Sequence, residues 1–243
     1  MTTRLNIRSF LLAGAMMMGA TPLSAQETPS RISWSPSYSG SCHDCSLVGR
    51  NMSGWNVSKA SYPGADLTAA NLRRTHAHGA NFNGVQAAGA DLRLGDFTEA
   101  SFEQANLIGA RLQGASFNSS KMTGIVLNSA NLSDGKFIGA TLTGAQMQSA
   151  TVHNSDFSAA TLYEAVLTAS DLTGSVFDNT ILMGADFTGA TISNASFRDA
   201  RFAGANLETV IGVESANFEG ACASEETRMP AGFSLPLCAE QLP

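Results

Sequence analysis

Large apolar residues return at every fifth position of this chain. In "SFEQANLIGARLQGASF", residues 101–117, they are Phe102, Leu107, Leu112 and Phe117. A helix would need a period near 3.6 and a strand a period of 2, so neither template fits. Stepping by five from Leu47 reaches Leu207 without an insertion; Leu or Phe holds 24 of these 33 centres, and Met, Val, Ile or Tyr holds most of the rest. Two places before the centre stands a small residue, usually alanine (Ala65, Ala70, Ala105, Ala110, Ala140, Ala205) and otherwise often Ser or Gly. Two places after it glycine recurs, as at Gly109, Gly114, Gly139, Gly144 and Gly184. Each unit therefore sends one large and one small side chain inward and three outward. It also needs a corner, where glycine supplies unusual dihedrals.

Sorting the centres by twenty sets the size of one coil. One column reads Val57, Ala77, Phe97, Phe117, Phe137, Phe157, Phe177, Phe197, and another reads Met52, Leu72, Leu92, Leu112, Leu132, Val152, Leu172, Ile192, with no Phe. Independent pentapeptides would mix Phe and Leu among columns. A coil of four units stacks each residue over its like, which predicts an all-β, four-walled solenoid of about eight coils, roughly 40 Å long, held by pairing along its axis. Ala77 and Ala87 fall in one coil, which is expected to be underpacked or locally distorted. Beyond Leu207 the register slips by one, "VIGVES" preceding a last unit centred on Phe218. Open ends expose pairing edges and need covers. Residues 26–44 read as a tether and N-terminal cap, 45–221 as the solenoid and 222–243 as the C-terminal cap.

"ADLTA" at 65, "ANLRR" at 70, "ANFNG" at 80, "ANLIG" at 105, "SDLTG" at 170 and "ADFTG" at 185 resemble the pentapeptide-repeat family. The resemblance covers about residues 45–221 and implies a right-handed quadrilateral β-helix. "TRMPAGF" resembles the tail that follows many such repeats. The family includes acidic rods that mimic B-DNA and occupy DNA gyrase, so the resemblance raises a DNA-mimicking, topoisomerase-binding role as one alternative.

Charge and the N-terminus change that picture. Arg4 and Arg8, the apolar run Phe10–Ala20 and "LSA" at 23–25 read as a signal peptide over residues 1–25, with the mature chain starting near Gln26. The expected location is periplasmic or secreted, which argues against gyrase as a partner. No later segment is long and apolar enough to span a bilayer. The chain carries 14 basic and 20 acidic residues; without Arg4 and Arg8 the balance is 12 against 20, a net charge of −8. Residues 138–197 hold five acidic and no basic side chains, so nucleic acid is not an expected ligand.

Cys42, Cys45, Cys222 and Cys238 lie outside the regular repeat. The expected pairs are Cys42–Cys45 and Cys222–Cys238, each stapling one cap in an oxidising compartment. The rival for "CHDC" is a redox pair or a zinc half-site with His43. His76 and His78 flank an inward Ala77 and Asp96 lies one coil above His76, a divalent-metal candidate set against a merely solvated wall. Arg73, Arg74 and Arg93, with Arg111 nearby, make an anion patch suited to a phosphate or lipid head group; Asp91 is expected to neutralise part of Arg111. Val126, Val166, Val176 and Ile181 occupy normally polar outward positions and mark a partner or self-association surface, with a homodimer as one outcome. No nucleophile–base pair, phosphate loop or carboxylate pair emerges, and no cofactor is expected. The reading is a non-enzymatic exported scaffold, a rigid rod presenting flat polar walls to an unidentified envelope protein.

Overall fold

The computed structural model describes residues 40–239. The signal peptide expected over 1–25, most of the tether over 26–39 and residues 240–243 lie outside the described residues. Four walls run the length of the rod. Wall 1 carries Ser46, Asp66, Gln86 and their successors; wall 2 carries Asn51, Asn71, Asp91 and Arg111; wall 3 carries Asn56, His76 and Asp96; wall 4 carries Ser61, Asn81 and Ser101. On every wall each residue bridges in parallel to the one twenty positions later, from Ser46↔Asp66 to Thr191↔Ile211. Side chains twenty apart therefore stand directly above one another.

Each five-residue unit repeats one pattern of backbone hydrogen bonds. Leu47 N–H donates to Asp66 O in the coil above (2.7 Å), Gly49 N–H to Thr68 O (2.9 Å), and Asp66 N–H back to Cys45 O (2.9 Å). Arg50 N–H donates to Leu47 O (2.9 Å), closing a turn whose second central residue, Gly49, has φ 61°. That is the signature of a type II turn. The one amide left over belongs to the residue after the centre. The outward Asn or Asp before the centre supplies its acceptor: Thr68 N–H donates to Asp66 Oδ1 (3.0 Å), Arg73 N–H to Asn71 Oδ1 (3.1 Å) and Ser133 N–H to Asn131 Oδ1 (3.0 Å). Solvation alone would not choose Asn and Asp so often; the Asx turn does. At Glu103, Ile138, Gln148 and Arg198, where that position is not Asn or Asp, an Asn or Asp one coil below substitutes. Glu103 N–H donates to Asn83 Oδ1 (3.0 Å) and Arg198 N–H to Asp178 Oδ1 (3.0 Å).

The core is stacked side chains. The rings from Phe97 to Phe197 lie parallel at intervals of twenty, with centroids 4.6 Å apart at Phe137–Phe157 and 5.3 Å at Phe117–Phe137. On the neighbouring wall Tyr62, Phe82 and Phe102 form a second short stack and meet the first edge-on, Phe97 to Phe102 at 5.6 Å. Offset-stacked and edge-to-face rings are the two arrangements that the ring quadrupole favours. Inward Thr and Ser replace alanine without leaving a hydroxyl unpaired: Thr75 Oγ1 donates to Met52 O (2.9 Å) and Ser155 Oγ to Leu132 O (2.8 Å).

The distortion expected at Ala77 and Ala87 is absent from the backbone. Both residues are buried, and their N–H groups donate to Asp96 O and Asn106 O at 2.7 Å, as elsewhere in the rod. The ladder is a main-chain device and survives a small centre. The register slip is real. A 3-10 turn, η1 (Val213–Ser215), takes up the extra residue; the bridges then run Ser196↔Asn217 and Arg201↔Cys222, and Phe218 still stacks on Phe197 at 5.1 Å.

The two ends differ from the middle. Axial pairing begins at Cys42, whose N–H donates to Ser61 O (2.8 Å). In the first coil the small-residue slots hold Cys45, Arg50 and Trp55, larger than the usual alanine, and the Arg50 guanidinium lies 5.8 Å from the Trp55 ring centroid. Cys42 is joined to Cys45. At the other end Cys222 is joined to Cys238, Ala223 bridges to Leu237, and Phe233 packs on Phe218 at 4.9 Å.

Candidate functional site

The interior offers no room for chemistry. The inward centres from Met52 to Leu207 are at most 2% exposed. Among the described residues, shallow depressions lie on the outside of the rod. Two adjoining ones run along the edge between walls 4 and 1, near the C-terminal end, lined by Tyr163, Met183, Ala203, Ser224, Glu226 and Leu237.

His76, His78 and Asp96 do not converge. His76 bridges to Asp96 on wall 3, but His78 sits at the next corner and places Nε2 3.5 Å from Glu99 Oε2. Asp96 Oδ1 accepts the Thr98 N–H (3.1 Å). Among the described residues no three His, Cys, Asp or Glu side chains are grouped to hold a metal ion. Twenty-residue stacking aligns two of the three, and the corner turns the third toward Glu99. At the N-terminal end, exposed His43 reaches Asp44 Oδ2 with Nδ1 (2.6 Å), while its cysteine neighbours bond to each other.

The arginines do gather. Arg50, Arg73, Arg74, Arg93 and Arg111 are all the arginines between residues 40 and 197, and every one falls in the quarter of the coil that builds wall 2 and its following corner. Asp91 is the carboxylate among them, and it is buried. Arg93 grips it with Nε on Oδ1 (2.8 Å) and Nη2 on Oδ2 (2.6 Å), while Arg111 Nη2 stands 3.4 Å from Oδ2. The Arg93 hydrogen bonds hold the Asp91 carboxyl below its ordinary range, against the opposing effect of burial, and Arg111 adds to the lowering. Such a bidentate pair satisfies a guanidinium in a way a single contact does not. The neutralising partner expected for Arg111 is thus first of all Arg93's. Arg73 and Arg74 have no ion-pair partner among the described residues, and Arg73 Nε is shielded without an acceptor.

The outward apolar residues also sort differently from expectation. Val126, Val166, Val176 and Ile181 are half-buried, because a bridge residue is flanked above and below by its own column. Away from the C-terminal end, where bridge residues Ile211 and Leu237 are exposed, the exposed apolar groups stand at corners: Val48 is 54% exposed, Leu94 48%, Ile108 45%, Tyr163 41% and Ile138 39%. The signal that finds them is position in the unit, one or two places after the centre.

The family model described as pentapeptide repeats matches eight copies, in segments 63–98, 88–124, 96–134, 125–162, 162–199 and 180–209. The chain belongs to the pentapeptide-repeat family. Among solved structures it is similar to HetL, a pentapeptide repeat protein involved in heterocyst differentiation regulation from the cyanobacterium Nostoc sp. strain PCC 7120, at 24% identity and TM-score 0.71, covering 80% of this chain and 89% of HetL. A trypsin-treated form of QnrB1, a plasmid-mediated fluoroquinolone resistance protein, aligns at 15% identity and TM-score 0.41 over 77% of this chain and 84% of its own. No curated protein matches the chain. The fold is a right-handed quadrilateral β-helix, and family membership by itself assigns no reaction or ligand.

Proposed function

We propose that this pentapeptide-repeat protein is a non-enzymatic, exported interaction scaffold of the cell envelope. The observation that carries the reading is the core, filled by stacked side chains from Met52 to Leu207, which leaves the outer walls as the working surface. Catalysis wants a concave, water-excluding site with converging polar groups. The first 25 residues support export, as do four cysteines spent on two bridges.

The DNA-mimicking alternative gains nothing from the walls. Asp156 lies on wall 3, Asp171 on wall 2 and Asp186 on wall 1, with Glu164 and Asp178 at two different corners. A phosphate mimic would set its carboxylates in rows.

Two measurements test the proposal. Mass spectrometry of the full chain after cell fractionation is expected to find an N-terminus near Gln26 outside the cytoplasm; an unprocessed cytoplasmic chain would sink the export reading. Photo-crosslinkers at Gln146, Thr151, Asp156 and Thr161 sample the four walls of one coil. Adducts of a single mass from one or two walls support a scaffold, and no adduct from any wall counts against it. Gyrase inhibition in a supercoiling assay would favour the alternative.

A further inference from the structure

Wall 2 carries a second feature beside its arginines. Leu94 follows Arg93 at the corner, in the left-handed region at φ 59°. The other non-glycine residues at positive φ are polar, charged or alanine; Leu94 is the large apolar one among the described residues. Branched apolar side chains are uncommon there, and glycine or asparagine is the ordinary choice. Local folding therefore gives no reason for leucine at this place, and a residue held against its backbone preference points to use. The corner above makes room for it, since a Cβ on Gly114 would stand 2.8 Å from Leu94 Cδ2.

The surroundings name the ligand class. Arg74 N–H donates to Arg93 O (2.9 Å), which fixes Arg73 and Arg74 one coil below Arg93 and Leu94, and Arg111 lies one coil above Asp91. Over coils two to four, four outward guanidiniums face one buried carboxylate; the next carboxylate on this quarter is Asp134, in the fifth coil. The other carboxylates of these coils face elsewhere: Asp66 on wall 1, Asp96 on wall 3, Glu99 and Glu103 at the two corners of wall 4. Arginine suits phosphate by its planar fork. A protruding apolar group at the corner of an arginine-bearing wall suits the boundary between phosphate head groups and acyl chains. A nucleic acid or a free anion would use the arginines and have no use for the leucine.

We propose that wall 2 of the first four coils, with Leu94 at its corner toward wall 3, docks this rod on an anionic lipid surface. The inference goes beyond the scaffold reading and does not rest on it, because vesicle binding tests wall 2 whether or not a protein partner exists. The chain from Gln26 onward, which keeps every described residue, is sedimented with phosphatidylcholine vesicles with and without phosphatidylglycerol. Binding is expected only with the anionic lipid, weaker at high salt, and about fivefold lower for each of Arg73→Gln and Arg74→Gln. Leu94→Asn, which suits the left-handed corner, is expected to weaken binding while leaving the melting temperature unchanged or higher. Absence of anionic-lipid binding overturns the proposal, as does binding that Arg73→Gln and Arg74→Gln leave intact. Equal binding by Leu94→Asn overturns it in favour of a general polyanion patch, as does displacement by inorganic phosphate beyond that of chloride at equal ionic strength. Duplex DNA bound as tightly as the vesicles, and equally by Leu94→Asn, does the same.

Discussion

Phe117 and Phe137 stack with ring centroids 5.3 Å apart and planes within 3° of parallel, though twenty residues separate them. That relationship fixes the coil length, and with it the facing of every other side chain.

Leu132 and Asn131 test the facing directly. Leu132 is fully buried, whereas half-buried Asn131 accepts the Ser133 N–H. Leu132→Asp is expected to cost more than about 4 kcal/mol, since it buries an unpaired charge in the middle of the rod. Asn131→Asp keeps the acceptor and should stay within about 0.5 kcal/mol. Denaturant titration of both variants decides it; equal effects would refute the assignment.

Asn131→Ala tests the Asx turn apart from polarity. It removes the acceptor of the Ser133 N–H and should cost about 1 kcal/mol, more than Asn131→Asp. A neutral alanine variant would show that water replaces the side chain.

Gly135 fills a slot that most often holds alanine. A Cβ there would meet Leu132 O at 2.7 Å and a ring carbon of Phe137 at 2.8 Å. Gly135→Ala, conservative by the repeat pattern, is expected to destabilise by about 1–3 kcal/mol through overpacking. A higher melting temperature would refute this.

The Asp91 carboxyl is held below its ordinary range by Arg93. At pH values above about 5 it is ionised in both folded and unfolded chains, and its stabilisation is fully present. As pH falls the unfolded chain takes up the proton first, so this stability is lost on passing down through the lowered folded value. Asp91→Asn should be less stable at neutral pH and show a flatter loss of stability on acidification. Parallel wild-type and variant curves would remove Asp91 from the acid response.

The Cys222–Cys238 bridge closes a sequence separation of 16 at the C-terminal end. Reduction is expected to cost on the order of 3 kcal/mol. Because each coil touches only its neighbours, the loss should fall on the end of the rod. Hydrogen exchange after thiol treatment should show new opening at residues 217–238 and unchanged protection near Phe137; opening throughout the rod would contradict this.

A great deal of the molecule was legible in the residues alone. A period of five and a super-period of twenty fix which side chains face in and which lie over which. They do so because pairing along the axis forces identical positions into register, whatever the side chains are. This is also why two alanine centres did not disturb the coil. Glycine at the corners was legible for the same reason, though Leu94, Arg74 and Asp134 adopt the same left-handed φ without it.

Only the tertiary structure decided what happens between side chains. Asp91 gives both oxygens to Arg93 and a longer contact to Arg111, and His78 turns to Glu99 and away from Asp96. Val126 is half-covered while Leu94 protrudes. Periodicity assigns a residue to a wall or a corner. Reach and shielding depend on how corners splay side chains and how stacked walls hold them together, and that geometry exists only once neighbouring coils are in place.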